Sequence, residues 1–238
     1  MGGFIDLHCH WVAGIDDGAR TREQGLDMLR RLQNAGFSKV VATPHMRPGM
    51  FENDKPALER AYAAMIEDLP AGLPEVGLAS EHFFDDVVFA RLKSGAGVPY
   101  PGGKSVLVEL NVQQFPIALP ARLLDLRRAG LKPVVAHPER YQPAWRDTES
   151  LQPILDAGAC LLLDVCALVG KYGEAPKRAA EKLLEEDAYE AGCSDAHRAE
   201  DADVTARAIA RLRTLVGEDE TDRLMRRGPE AILRGDWS

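Results

Sequence analysis

Six histidines stand in the 238-residue chain: His8, His10, His45, His82, His137 and His197. Each lies at or just past the end of a short apolar run, in "DLHCH", "ATPH", "ASEH", "VVAH" and "SDAH". Carboxylates occupy the same places: Asp17 after the first run, Glu81 after the third, Glu109 inside "VLVEL" and Asp195 after the last. Imidazole and carboxylate without a thiolate pattern suit manganese, iron, zinc or cobalt, and the donor types do not choose among them. There are more candidates than one tetrahedral or octahedral ion takes, so a polynuclear site is expected. A single such histidine is more often a capping or core residue, but six of six at one structural place turns the balance toward function.

Cys9 sits between His8 and His10, which raises the question of a thiolate nucleophile. Strand alternation puts Asp6, His8 and His10 on one side and Leu7 and Cys9 on the other, so the two histidines can grip one ion while Cys9 packs as a small buried hydrophobe. A cysteine-dependent tyrosine phosphatase needs His-Cys, five residues and then Arg, but position 15 is Ile. Cys193 is followed by Arg198, one residue short, and Cys166 by Tyr172. Nucleophilic cysteine chemistry is therefore disfavoured. The four cysteines form no CxxC pair and are read as reduced.

The elements that must position these residues are regular. Seven strand-length runs are expected at Phe4–His8, Lys39–Thr43, Glu75–Ala79, Ser105–Leu110, Pro133–Ala136, Cys160–Val165 and Tyr189–Cys193. Helical patterns alternate with them, the signature of βα units and a parallel sheet. In the first, Thr21-x-x-Gln24 is a capping box, Leu26, Leu29 and Leu32 form one face, and Gly36 suits a left-handed stop. Others are Ala57–Leu69, Ala121–Ala129 after Pro120, Asp201–Val216, Glu218–Arg227 and a short turn in "GPEAILRG". In a parallel α/β barrel all the strand ends converge on one face, which gathers residues distant in sequence. No linker or repeat divides the chain, so a single domain over 1–238 is expected. A net charge of −8 argues against a nucleic-acid or anionic-membrane surface. No apolar run approaches membrane-span length and no signal segment precedes Asp6, so a cytoplasmic protein is expected.

The motifs "DLHCHxxxGIDDG", "ATPH…GMF", "SEH", "VLVEL", "VVAHPERY", "LVGKYG" and "SDAH" occur in the order found in the PHP (polymerase and histidinol phosphatase) superfamily. More narrowly, the chain resembles its bacterial capsule-associated, metal-dependent protein-tyrosine phosphatases, from about residue 4 to the C-terminus. The resemblance implies a distorted TIM-like (β/α)7 barrel, with the active site at the C-terminal face of its parallel strands. It also implies two or three divalent ions, manganese first and iron, zinc or cobalt as alternatives. The ligands carried over by motif are His8, His10, Asp17, His45, Glu81, Glu109, His137, Asp195 and His197. The implied substrate is a tyrosine-phosphorylated protein, such as a bacterial tyrosine kinase of polysaccharide export.

Three departures from the family pattern stand out. "WVAG" replaces a segment that usually contains proline. His82 follows Glu81 where an aliphatic or aromatic residue is usual, and is read as a rim or supporting histidine. Ala202 stands near the position of a customary arginine. Arg140, three residues past His137, is the first choice for binding the phosphoryl group, with Arg198 as the substitute for the missing arginine; Arg47 and Lys171 rank behind them. The loop "HMRPGMFEND" offers Met50 and Phe51 to a tyrosine ring or peptide. Three alternatives stay open: a superfamily phosphoesterase acting on a small metabolite such as histidinol phosphate, an amidohydrolase-like or deoxyribonuclease enzyme, and a metal-stabilised binding protein without catalysis.

Overall fold

Apolar runs of strand length, each followed by an amphipathic helix, build two parallel sheets in the computed structural model, which describes residues 2–237. The strands are β1 (Phe4–Cys9), β2 (Phe37–Ala42), β3 (His45–Met46), β4 (Glu75–Leu78), β5 (Glu81–Phe83), β6 (Ser105–Glu109), β7 (Lys132–Ala136), β8 (Cys160–Asp164) and β9 (Tyr189–Cys193). The helices are α1 (Arg22–Asn34), α2 (Lys55–Ile66), α3 (Asp86–Lys93), α4 (Leu119–Arg128), α5 (Gln142–Arg146), α6 (Gln152–Asp156), α7 (Glu174–Glu185), α8 (Asp201–Asp222) and α9 (Gly228–Arg234). One sheet has the order β1-β2-β4 and the other β3-β5-β6-β7-β8-β9.

Each of the seven expected runs forms a strand, and two of them continue beyond a break. The second run ends as β2, crosses Thr43 and Pro44, and resumes as β3; the third ends as β4, crosses Ala79 and Ser80, and resumes as β5. Pro44 has no N–H for a ladder. The Ser80 hydroxyl donates to Pro44 O at 2.8 Å and Ser80 N to Val98 O at 3.1 Å, so both runs change partners and pass from the smaller sheet to the larger. At the other edge Cys9 bridges Ala196. His10 N donates to Ala196 O, and Asp195 N to His8 O. The histidine-bearing ends of both sheets are thereby brought to one region.

Two apolar clusters hold this frame. Ile5, Leu7, Val41, Leu107, Val134 and Leu162 form the smaller one among the strands, closed by Ile232 of α9 and by Trp237. The larger lies between strands and helices, and includes Leu29 and Leu32 of α1. Thr21 Oγ1 accepts from Gln24 N at 3.3 Å at the start of α1, and Gly36 takes φ 105° after its end, as the sequence predicts. The two expected C-terminal helices meet within α8 at a kink where Gly217 has φ 81°. Trp237→Ala should cost about 3 kcal/mol of unfolding free energy, the order found for a buried tryptophan. Urea unfolding checks this, and a loss under ~0.5 kcal/mol would show that the C-terminal segment does not close the cluster.

Candidate metal centre

The first strand does not keep a simple alternation. Its register with β2 shifts between Asp6 and Cys9. Leu7 joins the inner cluster, while Cys9 joins the outer one with its Sγ 3.4 Å from Met28 Sδ of α1. The expectation that Leu7 and Cys9 share a side is thus corrected, because a bulged strand loses its period of two. Asp6 is also not part of the histidine cluster. It accepts from Ser194 N at 3.0 Å, from the Ser194 hydroxyl and from His8 N at 3.3 Å, tying β1 to the segment that carries Asp195; burial pushes its pKa up to about 6.

The loop after β1 closes on itself through Gly14 N to Ala19 O and Ala19 N to His10 O. In the "WVAG" segment Trp11 is buried edge-to-face against Tyr62, with ring centroids 5.8 Å apart. Asp16 accepts from Gly18 N at 2.9 Å, His45 N at 3.1 Å and His10 Nδ1 at 2.8 Å. The proton on His10 Nδ1 leaves Nε2 as the free donor atom, the usual way a carboxylate orients a metal-binding histidine. Gly18 cannot be replaced cheaply, since a Cβ there would lie 2.1 Å from His10 O.

Glu81, at the start of β5, is the hub. Its Oε2 lies 3.2 Å from His8 Nε2, 3.5 Å from His10 Nε2 and 3.0 Å from His45 Nδ1, and its Oε1 faces His137 Nε2 at 3.0 Å. His8 Nε2 and His10 Nε2 are 3.1 Å apart. Asp195 Oδ1 lies 3.2 Å from His8 Nε2 and 3.5 Å from His10 Nε2. Asp17 Oδ1 lies 3.4 Å from His45 Nε2 and 3.5 Å from His197 Nε2. His137 and Asp195 sit just past β7 and β9 in the left-handed region, with φ 35° and 43°. Aspartate and histidine adopt this region more readily than most residues, and Asp68 and Asp187 share it outside the cluster.

All nine candidate ligands fall into four overlapping groups whose nitrogen or oxygen atoms lie within 4.8 Å of one another: His10, Asp17, His45 and His197; His8, Glu81 and His137; His8, His10 and Asp195; His45, Glu81 and Glu109. Burial lowers the His137 pKa to about 4, and Arg140 adds to this. Burial and the neighbouring charge of Glu81 raise Glu109 to about 7. Burial also pulls His10 down, but Asp16, Asp195 and Glu81 outweigh it and hold its pKa well above the usual range. Nδ1 of His8, His45 and His137, Oε2 of Glu109 and Oδ1 of Asp195 are buried without a hydrogen bond; His45 Nδ1 is close to Glu81 but misaligned. Carboxylate oxygens of Glu109 and Asp195 without a hydrogen bond, grouped with imidazole nitrogens of His8, His10 and His45, fit divalent cations.

The other expected residues are placed differently. His82 is buried away from the cluster, with Nδ1 donating to Leu107 O at 2.8 Å and Nε2 accepting from Val98 N at 3.1 Å. Burial lowers its pKa to about 4, so it is a neutral clamp between β5 and β6 and not a rim residue. Arg140 donates to Asp195, lies 3.6 Å from Asp164 and stacks 4.7 Å from the Tyr172 ring centroid. Glu139 turns away from Arg140 to accept from Tyr189 and from Asp164 N. Arg198 is exposed and lines a cavity of about 520 Å³ with Asp17, Arg20 and His197. Lys171 is held by Asp201 at 2.9 Å. Met50 is exposed, whereas Phe51 stacks on His45 at 5.0 Å.

Sequence reasoning passes over Asp16, Asn53 and Asp164. Asn53 donates to His45 O and Ile15 O, and nothing in the sequence signals it. Asp164 ends β8, so the strand-end rule applied to carboxylates would have found it; Asp16 is the first aspartate of "DDG".

Fold and site together define the class: a parallel-stranded α/β protein whose strand ends converge on a buried histidine–carboxylate cluster. The chain matches the family described as capsular polysaccharide synthesis, CpsB/CapC, over residues 4–234, and it belongs to that family. It is 28% identical over 201 residues to the tyrosine-protein phosphatase YwqE of Bacillus subtilis, covering 81% of this chain and 77% of that protein. It is 23% identical to the tyrosine-protein phosphatase CpsB of Streptococcus agalactiae, covering 98% and 99%. A chain from the crystal structures of YwqE from Bacillus subtilis and CpsB from Streptococcus pneumoniae, described as metal-dependent tyrosine phosphatases, superposes with a TM-score of 0.85 at 25% identity, covering 98% of this chain and 95% of that one. The phosphotriesterase homology protein of Escherichia coli, at 12% identity, TM-score 0.61 and coverage of 95% and 97%, shares the fold.

Asp16→Asn should weaken metal binding by about 10- to 100-fold, because it loosens His10 without removing a candidate ligand. Cys9→Ser should leave binding within about twofold, since the thiol faces α1. Titration with Mn²⁺ in the presence of a competing chelator measures both, and the opposite ranking would contradict this placement.

Proposed function

We propose that the chain is a metal-dependent protein-tyrosine phosphatase of capsular or exopolysaccharide synthesis. The carrying observation is the convergence of all nine candidate ligands, seven of them buried with Asp17 and His197 at the more open side, and the names of the relatives support the activity. His8, His10, Asp17, His45, Glu81, Glu109, His137, Asp195 and His197 would hold two or three divalent ions, manganese first. When bound, such ions lower the pKa of an attacking water, clamp phosphate oxygens and offset charge on the leaving oxygen. The same reading takes the two sheets as one distorted (β/α)7 barrel, because β2 with β3 and β4 with β5 are successive parts of single runs and Cys9 pairs with Ala196.

The chain's own residues supply the rest. Arg140 is fixed by Asp195, Asp164 and the Tyr172 ring, yet its side chain is 24% exposed, so it can bind a phosphoryl oxygen without first being ordered. Arg198, on the wall of the cavity shared with Asp17 and His197, would meet the substrate from the mouth. Asp16 orients His10, and Asn53 holds the backbone carbonyl of His45. A tyrosine phenolate leaves with a pKa near 10, so no strong general acid is required. The proposed partner is a tyrosine-phosphorylated protein, such as a bacterial tyrosine kinase of polysaccharide export, met in the cytoplasm. Among the described residues no helix is long and apolar enough to cross a membrane.

Phosphotyrosine peptide should be hydrolysed by the Mn²⁺-supplemented protein, and chelation should abolish turnover. Arg140→Ala should lower kcat/KM by about 10²–10³-fold, the order for loss of one preorganised charge-stabilising group. Steady-state assays with phosphotyrosine peptide and histidinol phosphate side by side provide the check. A preference for histidinol phosphate, or turnover unaffected by chelation, would overturn the proposal.

A further inference from the structure

Arg47 is placed by a tight hairpin. Arg47 N donates to Phe51 O at 3.3 Å, and Phe51 N donates back to Arg47 O at 2.8 Å. Its guanidinium carbon lies 4.1 Å from the centroid of the Phe83 ring, and its Nη1 lies 3.6 Å from Glu109 Oε2. That distance is an ion pair without a hydrogen bond, and Glu109 Oε2 is itself without a hydrogen-bond partner. The contact with Phe83 uses no N–H donor. The guanidinium is therefore held at the edge of the cluster, 29% exposed, by a carboxylate and a ring that leave its donors free.

Arg140 has a parallel arrangement elsewhere on the site. It too rests on an aromatic ring, Tyr172, and faces a candidate ligand carboxylate, Asp195. Arg47 follows β3 and faces residues of β5 and β6, whereas Arg140 follows β7 and faces residues at the ends of β8 and β9. In the larger sheet these groups occupy opposite halves of the order β3-β5-β6-β7-β8-β9. A tetrahedral phosphoryl dianion presents several acceptor oxygens at once, and the planar guanidinium fork suits it.

We propose that Arg47 is a second phosphoryl-binding residue, meeting the substrate from the Glu109 side while Arg140 meets it from the Asp195 side. This rests on the phosphatase reading and adds to it a substrate clamp of two guanidinium groups. Each is positioned by an aromatic ring, and each is paired with a carboxylate that a bound cation would engage. The clamp selects for a phosphomonoester dianion over a diester, which has fewer charged oxygens to share between two cations.

The test uses the full chain loaded with Mn²⁺ and titrated calorimetrically with inorganic phosphate, with metal content measured on the same samples. Arg47→Ala should weaken phosphate binding about tenfold or more and raise KM for phosphotyrosine peptide, with metal content unchanged. Arg47→Lys should recover part of the loss, and Phe83→Leu should give an intermediate one. Phosphate binding by Arg47→Ala within twofold of the wild type would overturn the assignment, as would loss of metal in that variant or a wild type that binds no phosphate. Should the wild type bind phosphate through Arg47 yet fail to hydrolyse phosphotyrosine, the clamp stands and the phosphatase reading falls.

Discussion

Glu81 sets the electrostatic problem that the rest of the molecule is built around. Its buried carboxylate stands within 3.5 Å of ring nitrogens from four histidines on three different chain segments. Glu109 and Asp195 are buried in the same cluster. Ionised carboxylates removed from water are costly unless paired, and Arg47 and Arg140 meet only two of them. The raised pKa of Glu109, driven by burial and by Glu81, expresses that deficit directly. Divalent cations would resolve it, and the proposed chemistry would follow from the same cations.

The fold can hold this cluster because its polar members are anchored from behind. Asp6 ties β1 to Ser194, Asp16 orients His10, Asn53 pins the His45 carbonyl, and Asp164 with Tyr172 frames Arg140. Left-handed backbone at His137 and Asp195 stores local strain, which the surrounding ladder and the apolar cluster beneath it can sustain.

Much of this was legible in the sequence because apolar runs announce buried parallel strands, and strand ends in such folds share a face. That rule, with motif resemblance, brought His8, His45, Glu109 and His197 to one place across nearly 190 positions. It failed where local geometry departs from periodicity. The register shift in β1 parts Leu7, in the inner cluster, from Cys9, on the helix side, and Pro44 and Ser80 split two runs between sheets. α7 begins after Gly173 with no side-chain cap to mark it. His82, read as a rim or supporting histidine, is satisfied by two backbone groups, and the sequence alone does not separate those two roles. The ring of Phe83 and the carboxylate of Glu109 that place Arg47 come from other strands, which spacing does not encode.

Nine candidate ligands in four overlapping groups are enough donors for more than one cation. Calorimetric titration of chelator-treated protein with Mn²⁺ tests this capacity most directly. Binding of at least two ions per chain, with protons released as Glu109 and the protonated imidazoles give way to metal, is the predicted result. A stoichiometry of one or none, or binding without proton release, would contradict it.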